Sequence, residues 1–444
     1  MSELRRDLGV WSAAAIVVGT VIGSGIFLVP KTMVEKVGSV ESVFLVWIAA
    51  GILSLAGALT YGELAAAMPE AGGEYVYLRE AYGPFFGFLY AWTQLLVARS
   101  GSVATLATGF FYYMANFFPG LDGVMIDGPV QVKYGQLAAI GVILFLAVLN
   151  VFGVKFGGGV QVVLTLIKVA CILAIMGVGF LAPSGRLENF STSIPAATGI
   201  AGFFAAMVAA LWAYDGWNNV AMVAGEIKNP QCNLPLALTA GTLAVIILYV
   251  STNLAYFYVL NAAEVAGSDR VAATMMGRAL GPAGAAAVSV AAMISMFAAI
   301  NGSILGGARV PYALAKDRLF FPQLGKVHAE WGTPSVSILV LSGWASLLVL
   351  TGRYDQLFTY VIFASWILYA MAAASVVVLR RTRPDLARPY KTLGYPVVPV
   401  LFVLVACALL GNTLRESPRE SIMGIGLILM GLPFYFYWRA KPGK

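Results

Sequence analysis

The chain is 444 residues long, 60% hydrophobic and only 11% charged, against roughly 25% charged in an ordinary soluble protein, which excludes a fold that must cover itself with polar groups. A bilayer removes that need, and spans of about 20 residues with short loops use up the length, leaving none for a soluble domain. The net charge of +7 is dispersed between apolar runs, which excludes a nucleic-acid surface, and three scattered cysteines (Cys171, Cys232, Cys407) with one histidine, His328, exclude a disulfide framework and a histidine metal centre.

Met1 to Gly9 is short and polar without a cleavable signal pattern, so the first span is expected to act as its own insertion signal. That span, 10–33, is interrupted by Gly19-Thr-Val-Ile-Gly-Ser-Gly-Ile-Phe27, three glycines in seven residues. Each glycine in a helix interior costs about 1 kcal/mol relative to alanine, so the stretch suits an unwound break better than a continuous helix. Apolar runs at 40–67, 84–118, 134–153 and 158–182 follow, with Arg99 and Lys168 at membrane depth in the second and fourth of these. The outer loop after 158–182 carries a glycosylation-type triplet, Asn189-Phe-Ser191, a pattern short enough to arise by chance. The sixth run, 199–224, contains Trp212-Ala-Tyr-Asp-Gly-Trp-Asn-Asn219, where an aspartate in lipid costs a few kcal/mol. This is a second candidate break. The seventh run, 235–260, leads to a moderately polar segment, Asn261 to Pro282, read as a short outer helix and loop. Runs at 283–315, 333–351, 355–380, 395–413 and 420–438 complete twelve.

The expected architecture is all-α and integral to the membrane, twelve transmembrane helices in a single domain, 1–444. Breaks in spans one and six are where two inverted five-span units would place them, about 8–182 and 195–380, with helices eleven and twelve at about 395–438. Twelve spans put both termini on one side. With that side cytoplasmic, inner segments carry seventeen lysines and arginines (among them Arg5, Lys155, Lys441 and Lys444) and outer segments nine, Arg353 included, in keeping with the positive-inside bias.

A helix broken in mid-membrane leaves free amides at the start of its second half and free carbonyls at the end of its first. The half-helix opening after Gly23-Ser24-Gly25, continuing at Ile26, therefore offers a carboxylate bare N–H groups and a positive dipole. Carbonyls near Val21, Trp212 and Asp215 could take an ammonium, so two facing breaks fit a zwitterion. Gly-Ser-Gly also suits close helix packing, and a bulkier residue at Gly25 is expected to abolish uptake in a protein that still folds. Trp212 stands either as a gate over the bound side chain or as packing. Lys168 is a fixed cation bridging the broken first span and span eight, a protonatable coupling group, or a snorkelling residue. Asp215 is either a partner of an interior cation or a ligand of the substrate ammonium. Arg99 is expected to pair with the backbone or with Glu63, and Asn301 either lines the cavity or joins helices. No His-Glu-x-x-His, nucleophile elbow or Walker loop is present, so neither catalysis nor a cofactor is expected. A channel would need a continuous polar pore and a sensor a signalling domain; neither is evident.

Four stretches together resemble the amino acid–polyamine–organocation superfamily, and within it the L-type amino acid transporter branch and its bacterial relatives. They are Val18 to Phe27; Tyr61-Gly-Glu-Leu64 with Gly72-Gly-Glu-Tyr75; Trp212 to Trp217 leading to Glu226-Ile-Lys-Asn-Pro230 and Asn233-Leu-Pro235; and Gln161 with Lys168. The resemblance implies a leucine-transporter-like fold of inverted repeats, alternating access and amino acid exchange at the cell membrane. It implies that Ser24 and Gly25 bind the substrate carboxylate, that the Val21 and Trp212 carbonyls bind the ammonium, and that Trp212 gates the site. It also implies that Lys168 takes the place of a sodium ion. Asp215 stands where animal members usually have a small residue, which leaves the substrate's charge open; a proton-coupled symporter and a carrier of cationic amino acids or polyamines are the alternatives within the class. The loop 119–133 lacks the cysteine that would tether an ancillary subunit, so no disulfide-linked partner is expected.

Overall fold

In the computed structural model the described residues are 6, 8–70, 72–127, 131–152, 157–196, 199–351 and 354–440, without the side chains of 157–161 and 355. Arg5, Lys155, Arg353, Lys441, Lys444 and the side chain of Gln161 thus lie outside the described residues. In chain order the helices are α1 (Val10–Val21), α2 (Gly25–Val37), α3 (Val40–Ala67), α4 (Glu74–Tyr82), α5 (Pro84–Thr93) and α6 (Arg99–Met114). Then come α7 (Tyr134–Phe152), α8 (Gly157–Leu181), α9 (Ile200–Tyr214), α10 (Pro230–Val259), α11 (Ala262–Ala266) and α12 (Val271–Gly307). The last are α13 (Arg309–Lys316), α14 (Ser335–Thr351), α15 (Tyr354–Thr382), α16 (Val397–Glu416), α17 (Pro418–Leu429) and α18 (Gly431–Ala440). Every apolar run is helical over most of its length. Among the described residues nine helical segments are long and apolar enough to cross a membrane, ten if the bent pair α1–α2 counts as one.

Local residues explain where these helices start. The Ser39 hydroxyl accepts the Ser42 N–H (3.2 Å) at the head of α3. Proline occupies the first turn of α5, α10 and α17, where its missing N–H removes no intrahelical bond. Asn261 and Glu264 cap α11 reciprocally, Glu264 N–H to Asn261 Oδ1 at 3.0 Å and Asn261 N–H to Glu264 Oε2 at 2.9 Å.

Two packed groups emerge. In one, α3 lies along α10 and α9, α1 rests on α10, and α2 rests on α9; in the other, α6, α7, α12 and α14 pack together, with α8 against α12. Contacts of α8 with α10 and α1, and of α12 with α2, join the groups, and α15 lies against α4, α6, α9 and α16. Large apolar side chains face outward, such as Leu144, Phe145, Val148 and Leu149 of α7 and Leu401 and Leu404 of α16. That surface suits lipid rather than water.

Four details depart from the sequence reading. The segment Asn261 to Pro282 is mostly helical: its second half belongs to α12, which turns at Gly281 (φ 72°, a left-handed value open to glycine) before Pro282 restarts the helix. The loop 119–133 contains a short two-stranded antiparallel ribbon, β1 (Val124–Ile126) with β2 (Val132–Lys133), within an otherwise helical fold. The run 84–118 passes through a π-helical turn, Gln94–Ala98, between α5 and α6. Finally, Glu63 does not pair with Arg99. Its oxygens accept from Arg380 Nε (2.9 Å), Arg380 Nη2 (2.7 Å) and the Thr392 N–H (2.8 Å), with Arg388 Nε at 3.5 Å. The ends of α3 and α15 approach one another, and the bidentate arginine fork there outcompetes Arg99.

Candidate functional site

The first break lies at Ile22–Ser24, where Ile22 turns extended (ψ 91°) and α2 leaves α1 at a bend of 44°. The Ile22 N–H still reaches Val18 O (3.0 Å), and the Phe27 N–H closes the first turn of α2 on Ser24 O (3.1 Å). The amides of Gly25 and Ile26 have no backbone acceptor among the described residues. They are the orphan donors of a helix start, held in the middle of the bundle.

The second break follows α9. Asp215 is extended (φ −60°, ψ 143°), Gly216 takes a φ of 105° that an L side chain rarely adopts, and the chain resumes as a 3-10 helix, Asn219–Glu226. The two breaks touch. Thr20 Oγ1 donates to Gly216 O (3.0 Å), and a Cβ on Gly25 would stand 2.4 Å from Ala213 Cα. Gly25 is therefore the contact through which α2 packs on α9, backbone against backbone. The expectation that a bulkier residue there leaves the protein folded is corrected: the obstacle is main chain and cannot turn aside. Gly23 differs, since its Cβ would crowd the Leu106 side-chain end at 3.0 Å and meet Val21 O and Ala299 Cβ at the ordinary contact distances of 3.8 and 3.9 Å.

Between the breaks lies a cavity of about 20 Å³, lined by Thr20, Val21, Gly23, Ser24, Gly25, Trp212, Asp215, Gly216 and Asn219, with Arg99, Ser102 and Leu106 of α6 and Ser303 of α12. A water molecule needs about 10–15 Å³ by this measure, so the conformation is closed tightly around the site. Arg99 Nη2 donates to Asn219 Oδ1, and Tyr369 OH donates to Asp215 Oδ1 at 3.0 Å. One guanidinium and one carboxylate thus face the same space.

Trp212, at the end of α9, is buried. Its Nε1 donates to Tyr354 OH (2.9 Å), Tyr354 OH donates to Ser24 Oγ (2.9 Å), and the indole stacks on Phe358 with ring centroids 6.2 Å apart. Tyr354 links Trp212 to the first break, a connection absent from the sequence reading because a lone tyrosine opening a span carries no distinguishing signal. The opposite, Glu226 side holds a vestibule of about 340 Å³, walled in part by Tyr75, Arg79, Glu226, Arg309, Lys316 and Asp317. Ion pairs brace it: Arg309 Nη2–Glu226 Oε1 at 3.1 Å and Arg79 Nη1–Asp317 Oδ2 at 3.1 Å, with Tyr75 OH on the same carboxylate.

Lys168 is buried on α8, and its Nζ donates to Gly19 O (2.9 Å) and Ile22 O (3.0 Å) across the first break. Ser295 of α12 donates to Ile22 O as well, at 3.1 Å. The ammonium therefore sits between the broken helix and α12, not at an interface. Val21 O accepts from Tyr249 OH (2.9 Å) and Trp212 O from the Asp215 N–H (3.2 Å); each carbonyl keeps a second lone pair.

Two residues stand elsewhere. The Ile26 side chain is wholly buried and does not line the cavity, leaving only its amide directed to the break. Asn301 faces α7, where its Oδ1 accepts from Asn150 Nδ2 at 2.7 Å; it joins helices, and Ser303 takes the cavity position. Two residues on a helix differ by about 200° in direction, so one of them faces in and the other away. Trp217 packs between Tyr61 and Tyr369, and Tyr214 donates to Trp47 O, so both serve packing.

The profile of a family described as amino acid permease matches residues 8–429. The serine/threonine exchanger of Bacillus subtilis (strain 168) is 34% identical over 442 residues, covering 98% of this chain and 97% of its own. The b(0,+)-type amino acid transporter 1 of Mus musculus is 34% identical over 440 residues (98% and 88%), and the cystine/glutamate transporter of Homo sapiens 30% over 446 residues (99% and 87%).

Proposed function

The chain belongs to the amino acid permease family, and from that premise we propose that it carries small neutral amino acids by sodium-independent exchange and alternating access. It is a multi-pass membrane transporter, not an enzyme. The observation that carries the substrate reading is the meeting of two helix breaks at one cavity. The unpaired Gly25 and Ile26 amides and the α2 dipole receive the carboxylate, with Ser24 beside them. The Val21 and Trp212 carbonyls receive the ammonium.

Charge balance favours a substrate with a neutral side chain, because Arg99 and Asp215 line the cavity together and offset one another. The tight cavity under Trp212 favours a small one. Sodium independence rests on the Lys168 ammonium, which already supplies the positive charge at the Gly19 and Ile22 carbonyls. Exchange is supported by the B. subtilis relative, itself named an exchanger. The architecture goes with this reading: twelve spans, 1–5 and 6–10 as inverted repeats within the single domain 1–444, in the cell membrane with both termini cytoplasmic. The vestibule beside α4 and α13 then opens to the cytoplasm. The lack of a cysteine in the loop 119–133 supports a protein that works without a disulfide-linked partner.

The test preloads proteoliposomes with unlabelled amino acid and follows entry of labelled alanine or serine. Entry only into preloaded vesicles, unchanged by removing sodium, is the expected result. Entry into empty vesicles driven by a proton gradient would replace exchange with symport.

A further inference from the structure

Below the substrate cavity lies a second polar cluster that binding does not use. Glu74, the first residue of α4, is fully buried. Its Oε1 accepts from Asn218 Nδ2 and its Oε2 from Tyr90 OH at 2.9 Å. No lysine or arginine lies within ion-pair distance of it among the described residues. The titratable and charged groups facing it are Tyr61 of α3, Tyr77 of α4, Tyr90 of α5, Arg99 of α6 and Tyr369 of α15, and Tyr369 OH in turn donates to Asp215 after α9. Asn218 Oδ1, Tyr61 OH and Tyr77 OH are buried there without partners.

Charge counting gives this cluster one cation, Arg99, and two carboxylates, Asp215 and Glu74. Asp215 borders the cavity and Arg99; Glu74 lies deeper, with only neutral donors in contact. A buried charge without a counter-ion is costly, and a carboxylate escapes that cost by taking a proton. Burial accordingly pushes the Glu74 carboxyl above its usual range, against the pull of its own backbone N–H, of Arg99 and of the Tyr90 and Asn218 donors.

Position gives the proton a use. Asn218 sits between Gly216 and Asn219, which line the cavity, while Tyr75, Val76 and Arg79 of α4 line the vestibule. Glu74 holding Asn218 is thus part of the wall between them. Opening of that wall would separate the pair and bring vestibule water to the carboxyl.

We propose that Glu74 is a proton-binding site, holding a proton while the wall between cavity and vestibule is closed and releasing it to vestibule water when the wall opens. The O–H bond breaks on opening and re-forms on closing, the proton leaving and returning on the same side, so exchange proceeds without net proton movement. The closed state binds the proton more strongly, so acid on the vestibule side favours closure, and that preference fades as pH rises. The inference rests on the transport reading above.

The experiment measures exchange in proteoliposomes against vestibule-side pH, for wild type and Glu74→Gln, which mimics the neutral acid. Expected are a wild-type rate that falls on acidification and a variant that still exchanges with no pH dependence. A variant with the wild-type pH profile, or a pH-independent wild type, overturns the proposal. Should Glu74→Gln fail to fold, Tyr90→Phe removes one donor to the ionised carboxylate and must move the profile to higher pH; an unmoved profile overturns it. Infrared spectra supply a readout without transport: a carboxylic-acid carbonyl band, shifted by deuterium oxide, must be present in wild type and lost in Glu74→Gln, or shifted in Tyr90→Phe. If wild type exchanges no amino acid at any pH, the transport reading fails, and the band still decides Glu74.

Discussion

Replacing Lys168 with methionine separates folding from transport. The lysine donates two charge-assisted hydrogen bonds, to Gly19 O and Ile22 O, from a buried position. Such bonds are worth about 1.5–3 kcal/mol each, roughly 3–6 kcal/mol together, while burying the ammonium costs several kcal/mol. The two nearly cancel, and methionine fills the space without charge, so Lys168→Met should shift folding stability by no more than about 2 kcal/mol. Transport has no such compensation. With the carbonyls released, the break relaxes, and losing about 2 kcal/mol of preference for the competent geometry lowers its population roughly 30-fold. Thermal melting of the purified protein and exchange in proteoliposomes should therefore diverge, the melt nearly unchanged and exchange down at least about tenfold. Wild-type turnover would refute the reasoning, as would a collapsed melt, which would make Lys168 purely structural.

Glycine at 25 and at 23 should behave differently. Gly25→Ala drives a Cβ into the Ala213 backbone at 2.4 Å, and should cost upward of about 1–3 kcal/mol of stability, read as a lower melting midpoint and poor yield. Gly23→Ala crowds only the end of Leu106 and should fold normally while slowing exchange, because it narrows the cavity. Tyr354→Phe strands the Trp212 N–H and removes the donor to Ser24, a loss of about 1–3 kcal/mol visible in both melting and exchange rate. Competition should show that both ends of the substrate matter: alaninol lacks the carboxylate and propionate the ammonium, and neither should inhibit labelled alanine exchange as alanine does.

What the sequence revealed was backbone chemistry. Glycines at 19, 23 and 25, and an aspartate followed by glycine inside span six, are costly in a lipid-embedded helix, and both stretches are where the chain unwinds. Lys168 stood out for the same reason. Side-chain direction did not come through. Asn301 and Ser303 lie in one turn of α12, and only helix phase decides which faces the cavity. Nor could local sequence reveal that Glu63 meets Arg380, 317 residues away, rather than Arg99, or that Tyr354 closes the chain from Trp212 to Ser24. These pairings depend on how distant helices cross. The polarity of Asn261 to Pro282 suggests a short outer helix and loop, yet alanine and methionine are good helix formers and carry α12 from Val271 up to Gly281.

The central claim is tested most directly by a structure with alanine or serine bound. It should show the carboxylate within hydrogen-bond reach of the Gly25 and Ile26 amides and the ammonium directed at the Val21 and Trp212 carbonyls. An amino acid held instead in the vestibule by Arg309 or Arg79, with nothing between the two breaks, would contradict it.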